Sequence, residues 1–199
     1  MIGAGRLVAI QLIVFMLGAV VMGFEMLATR YLYPYFGGSI ETWGALIATV
    51  LAALMLGYFM GGYLADRTAN LGLCALLVVV AALWIAAMPW SADAIFLRLM
   101  TDVGDGAAVT ILASAILLAV PLAMLGTLLP FVIRVTIADT QHAGRVAGLS
   151  YAVSTFGSIF GTLFVTFTLI PSFGVRAITL MLAGACAVGA LGLFLLRRR

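Results

Sequence analysis

The chain has 199 residues, of which 65% are hydrophobic and 9% charged, with a mean hydropathy of +1.27 and a formal net charge of +3. That balance excludes an ordinary water-soluble domain and describes a polypeptide dissolved in lipid. All ten basic residues are Arg, which excludes Schiff-base chemistry and a P-loop lysine, and the charge of the Arg197-Arg198-Arg199 triplet reads as topology and headgroup contact rather than nucleic-acid binding.

A spanning helix needs ~20 apolar residues, and six segments meet that need, at about 7–32, 42–63, 71–90, 107–135, 146–170 and 175–196. Residues 1–199 therefore read as one all-α transmembrane domain, with no room for a soluble catalytic domain. The first run is longer than the ~7–15-residue core of a signal peptide, so it reads as a spanning helix.

That helix ends in GFEMLATRYLYPYFGGSIETWG, where the chain is expected to turn over Pro34, Gly37 and Gly38. Glu25 is costly in lipid and needs compensation. It reads either as a structural salt-bridge or hydrogen-bond group, or as a group that takes a substrate or a proton. Tyr31, Tyr33, Tyr35, Phe36 and Trp43 read as an interfacial aromatic belt, or as a cation-binding box completed by Glu25 or Glu41. Arg30 is a compensating partner or gate, although residues five apart lie about 140° apart around a helix and so do not pair by default.

In the second helix, Gly57 and Gly61 have the spacing that lets a neighbouring backbone approach. The third closes at Pro89 and Trp90, and the segment Asp93–Met100 is expected to form a short helix on the membrane surface or a connecting loop. In the fourth, Pro121 is a candidate hinge or a tolerated membrane proline. The loop that follows holds His142, a solvated residue with no second ligand near it. Cys74 and Cys186 fall in different apolar segments, so neither a metal site nor a catalytic thiol is signalled and both read as buried free thiols; no cofactor is expected. In the fifth helix Ser150, Ser154, Gly157, Ser158 and Gly161 share a face, which reads as a tight helix contact or as the lining of a polar path. The sixth carries Ala183, Gly184, Ala187 and Gly192 before the arginine triplet.

Counting arginines by loop gives seven on the side of the N-terminus (Arg6, Arg67, Arg134, Arg145, Arg197, Arg198, Arg199) and three on the other (Arg30, Arg98, Arg176). The positive-inside rule then puts both termini in the cytoplasm of a bacterial inner membrane and the Glu25 turn on the far side. Helices one to three and four to six start on opposite faces, the arrangement of a 3+3 inverted repeat, with Leu27, Thr29 and Pro34 echoed by Leu125, Thr127 and Pro130.

Two resemblances rest on these residues. Gly62-Tyr63-Leu64-Ala65-Asp66-Arg67 resembles the cytoplasmic G-x-L-A-D-R loop motif of major facilitator superfamily transporters, so the six helices look like half of such a transporter. Over nearly its whole length the chain also resembles the membrane domain of the fused MFS/spermidine synthase-like family. The residues that carry this are Glu25, Arg30, Pro34, Phe36, Gly37, Ser39, Trp43 and Gly44, then Gly57, Gly61, Asp66 and Arg67, and finally Arg145, Gly148, Tyr151, Ser154, Gly157 and Gly161 in RVAGLSYAVSTFGSIFG. The nucleotide fingerprint and catalytic acid of that family's synthase domain have no counterpart here. The resemblance therefore implies an anchor or accessory subunit for a soluble synthase-like partner or a membrane complex. Two alternatives stand beside it: a homodimeric transporter of a cationic small molecule such as a polyamine, and a structural subunit of an energy-transducing or photosynthetic complex.

Overall fold

The computed structural model describes residues 4–137 and 143–197. The readings at His142, Arg198 and Arg199 lie outside the described residues. Within them the chain forms six helices long and apolar enough to cross a membrane: α1 (Ala4–Phe36), α2 (Ile40–Thr68), α3 (Leu71–Val103), α4 (Ala107–Thr136), α5 (Ala143–Ser172) and α6 (Val175–Leu196). No strand occurs among the described residues. At 1.5 Å per residue, α1 and α3 are about 50 Å long, so both outreach the ~30 Å hydrocarbon core.

Local chemistry sets the turns. Contrary to the expected turn over Pro34, α1 runs through it, and the reversal comes at Gly37, whose φ of +69° suits a residue without a Cβ. Ser39 then caps α2 by accepting from the Thr42 amide at 3.3 Å. Asn70 caps α3 through its Oδ1, which accepts from the Gly72 amide at 2.8 Å. Between those two caps, Ala69 closes α2 in the left-handed region at φ 42°.

The segment Asp93–Met100 is neither a separate surface helix nor a loop. It continues α3 through Pro89 to Val103. The extension holds because Phe96, 1% exposed, packs edge-on against Tyr35 and Phe36 with ring centroids 5.5 and 6.1 Å away. The Tyr35 hydroxyl also donates to Asp93 Oδ1 at 2.8 Å. In α4 the helix is regular through Pro121, and its irregularity falls at Thr127 instead. There the Thr127 amide turns back to the Met124 carbonyl at 3.2 Å. In α5 a π-helical turn spans Val165–Leu169.

The helices pack mainly as three couples, α1 with α5, α2 with α4 and α3 with α6, while α3 also meets α4 and α1 also meets α6. Glycines set the first two couples. A side chain at Gly157 or Gly161 would strike the carbonyl groups of Phe15 and Ala19, and one at Gly18 would meet the Ser154 carbonyl oxygen at 2.5 Å. Gly57 lies against Ala123 in the same way, and a Cβ at Gly61 would be 2.6 Å from Thr127 Cα. In lipid no hydrophobic force draws helices together, so close approach of backbones does that work. Arg6 donates to the Leu196 carbonyl at 2.9 Å, which puts the start of α1 and the end of α6 at one end of the bundle.

Candidate functional site

Polar groups in this bundle gather along one side of α1. Gln11, Gly18 and Glu25 recur every seven residues, with Met22 and Thr29 beside them, so all five share a stripe. A row on α5 runs along that stripe. Gln11 Nε2 donates to Ser150 Oγ at 3.0 Å, and Ser158 Oγ donates to the Gly18 carbonyl at 3.2 Å. At a spacing of four the row continues through Thr162, bonded to the Ser158 carbonyl at 2.9 Å, to Thr166 in the π turn. Gln11 Oε1 and Thr166 Oγ1 are buried without a partner among the described residues.

Glu25 lies further along the same stripe. It is 8% exposed, and among the described residues neither a hydrogen-bond donor nor a cation reaches its carboxylate. A buried acid in that condition calls for water, a proton or a cation from outside the chain.

Two cavities flank it. Between α1, α2, α4 and α5 lies a space of about 70 Å³ bounded by Gly18, Met22, Tyr58, Gly126, Ser154 and Ser158, polar and roomy enough for water. At the α1–α2 turn lies one of about 480 Å³ lined by Thr29, Arg30, Tyr33, Gly38, Thr42 and Trp43. Met22 bounds the first and Thr29 the second, three and four residues from Glu25, so the acid occupies the step between them.

Of the residues singled out by sequence, Arg30, Tyr33 and Trp43 come together around the larger cavity, where Arg30 is the one charged lining group among the described residues. Tyr35 and Glu41 do not join them. Tyr35 turns to Asp93 on α3. Glu41 lines a separate groove between α2 and α4, with Gly44, Ala48 and Ile111. No single box of aromatic rings and acids therefore forms.

The loop motif lies at the end of α2. Asp66 sits 3.4 Å from Arg134, with both side chains more than half exposed. Arg67 stacks over the Tyr63 ring at 4.1 Å, and nothing approaches Gly62. Gln11, Tyr58, Thr162 and Thr166 are polar residues that sequence reasoning missed. For Gln11 the signal was present in its seven-residue spacing to Gly18 and Glu25.

No family model, curated protein or solved structure matches the chain.

Proposed function

We propose that this chain is the six-helix membrane module of a spermidine-synthase-like system, built like half of a facilitator bundle, and that it receives a basic small molecule of the polyamine class at Glu25. One observation carries this reading: a glutamate 8% exposed, on a stripe flanked by the hydroxyl row of α5, with no partner for its carboxylate among the described residues. An organic ammonium supplies both the charge and the hydrogen bonds that such a group needs. Arg30 opposes a cation in the larger cavity, so the amine belongs at the Glu25 step, with Tyr33 and Trp43 offering ring faces on the way in and Arg30 acting as a gate.

Packing supports the 3+3 inverted repeat. Exchanging α1 with α4, α2 with α5 and α3 with α6 turns the α1–α5 couple into α4–α2, returns α3–α6 to itself and swaps α3–α4 with α6–α1. The correspondence reaches single residues. Gly57 and Gly61 stand where Gly157 and Gly161 stand in the other half, and Gly126 faces the Leu54 carbonyl as Gly18 faces that of Ser154. This register sets Leu27 opposite Val135, so the echo of Leu27, Thr29 and Pro34 in Leu125, Thr127 and Pro130 is not the repeat's alignment.

A second copy of the chain is the further reading. The most apolar stretches of α5 and α2 are the least covered of the six, 22% and 39% buried, and they border the stripe on either side. A second bundle against them would close Glu25 off from lipid, and a synthase-like subunit would then meet the end that carries Arg6, Arg67 and Arg134, which we assign to the cytoplasm.

Spermidine binding to the protein in nanodiscs, measured by calorimetry for wild type and Glu25→Gln, tests the assignment. Binding that weakens at least about tenfold in the variant, the loss expected for a charge-assisted contact, supports it. Wild type that binds no polyamine removes the ligand class, and unchanged binding by the variant removes Glu25. Purification in mild detergent separates the assemblies, through a soluble synthase, a second copy or a large complex as companion.

A further inference from the structure

The couple formed by α3 and α6 leaves a groove on its outer side, about 560 Å³ in volume, that is apolar along nearly its whole length. Its floor is small: Ala75 and Ala82 from α3 meet Ala187 and Ala190 from α6, and their short side chains leave the space open. Leu83 and Leu191 stand up along it, 66% and 58% exposed. From Gly72 to Leu83 the groove follows α3 for 11 rises of 1.5 Å, or about 16 Å. That is the hydrocarbon depth of one leaflet, half of the ~30 Å core.

One charge lies in it, and it lies at the membrane-face end. A Cβ at Gly72 would be 3.1 Å from Arg197 Cδ, so the glycine lets the arginine stem lie across the start of α3. The guanidinium sits 3.4 Å over the Phe194 ring, which fixes its position without neutralising it. No carboxylate pairs with it among the described residues. The N-terminus of α3, with its positive dipole end, opens at the same place.

A cation at the headgroup level above a leaflet-deep apolar channel matches a single kind of amphiphile. We infer that the α3–α6 groove is a binding site for one anionic phospholipid, with its phosphate on Arg197 and an acyl chain laid between Ala75 and Ala187. Charge and depth together select the occupant: an uncharged lipid fills the channel without meeting Arg197, and a soluble phosphate meets Arg197 without filling the channel. The inference does not depend on the Glu25 reading, since the groove lies on another side of the bundle and shares no residue with the stripe.

The test is native mass spectrometry of the purified protein equilibrated with equal amounts of phosphatidylglycerol and phosphatidylcholine. Wild type is expected to retain one phosphatidylglycerol with a preference of roughly fivefold, the ratio that one basic residue near the surface supplies. Arg197→Gln brings the preference close to one. Ala187→Phe, at an exposed position that leaves the helix contact intact, fills the channel and removes retention of both lipids. An Arg197→Gln protein with the wild-type preference overturns the assignment. So does a photo-crosslinker at Leu191 that labels a second copy of the chain and no lipid.

Discussion

Ser158 Oγ donates to the carbonyl oxygen of Gly18 at 3.2 Å, a hydrogen bond that forms only because α5 lies closer to α1 than side chains normally permit. Gly157 and Gly161 permit that approach, each lacking the Cβ that would collide with the α1 backbone. Because that backbone cannot swing aside as a side chain can, Gly161→Ala is expected to destabilise the bundle by about 1–3 kcal/mol in thermal or steric-trapping measurements. Gly184→Ala, where nothing lies within 4 Å, is expected to be neutral or slightly stabilising. Equal effects at the two sites would remove close packing as the reason for these glycines.

Tyr31 and Thr179 join α1 to α6 through one buried contact, 2.8 Å between their hydroxyl oxygens. Thr179 also bonds to the Val175 carbonyl at 2.8 Å, so it keeps a partner when Tyr31 is changed. Tyr31→Phe should therefore cost only about 0.6 kcal/mol and no more than ~1.7, the range found for hydrogen bonds between membrane helices. A double-mutant cycle with Thr179→Val reads the coupling directly. A coupling near zero would mean that the ring of Tyr31, rather than its hydroxyl, holds α6.

Glu25 sets stability against function. An acid without a partner in a buried place costs folding energy, so Glu25→Gln is expected to raise stability by about 1–3 kcal/mol even as it weakens polyamine binding. Denaturation of the two proteins in the same detergent compares them. Loss of stability in the variant would mean that the carboxylate is already satisfied within the fold.

Ala69 closes α2 with φ 42° and ψ 35°, a conformation that costs a Cβ-bearing residue roughly 1–2 kcal/mol. Ala69 is also exposed, so nothing is lost in packing when its methyl group is removed. Ala69→Gly is thus expected to gain about 0.5–1 kcal/mol after the larger entropy of the unfolded glycine is subtracted. A melting temperature that falls would mean the methyl group packs in a way its exposure conceals.

Much of the fold was legible before any coordinates. Six apolar runs of about 20 residues or more, separated by short polar joints, already specify six helices long enough to cross, because an isolated apolar segment satisfies its own backbone in hydrocarbon only as a helix. The spacing of Gly57 with Gly61 and of Gly157 with Gly161 marked the surfaces that in the structure carry the α2–α4 and α1–α5 contacts. Less could be read where a helix is held by something distant. Pro89 and Trp90 look like an end, yet α3 continues because Phe96 finds Tyr35 and Phe36, which lie about 60 residues earlier in the chain. Pro121 looks like a break, yet the disturbance falls at Thr127, where the helix lies close against Gly61 of α2.

The candidate site divides along the same line. Composition alone places Glu25 in a lipid-spanning segment and makes it expensive there, since transfer cost depends on what a residue is. Which groups stand around it depends on where other helices lie. Tyr35 and Glu41, neighbours of Trp43 in sequence, are carried off to α3 and to the α2–α4 groove, whereas Ser150 and Ser158 of α5 are brought onto the stripe of α1. Hydropathy is a property of each residue and adds along the chain, so it fixes the number of helices long and apolar enough to cross from the sequence by itself. Partnership is a property of pairs far apart in the chain, and only packing in three dimensions could leave this carboxylate without one.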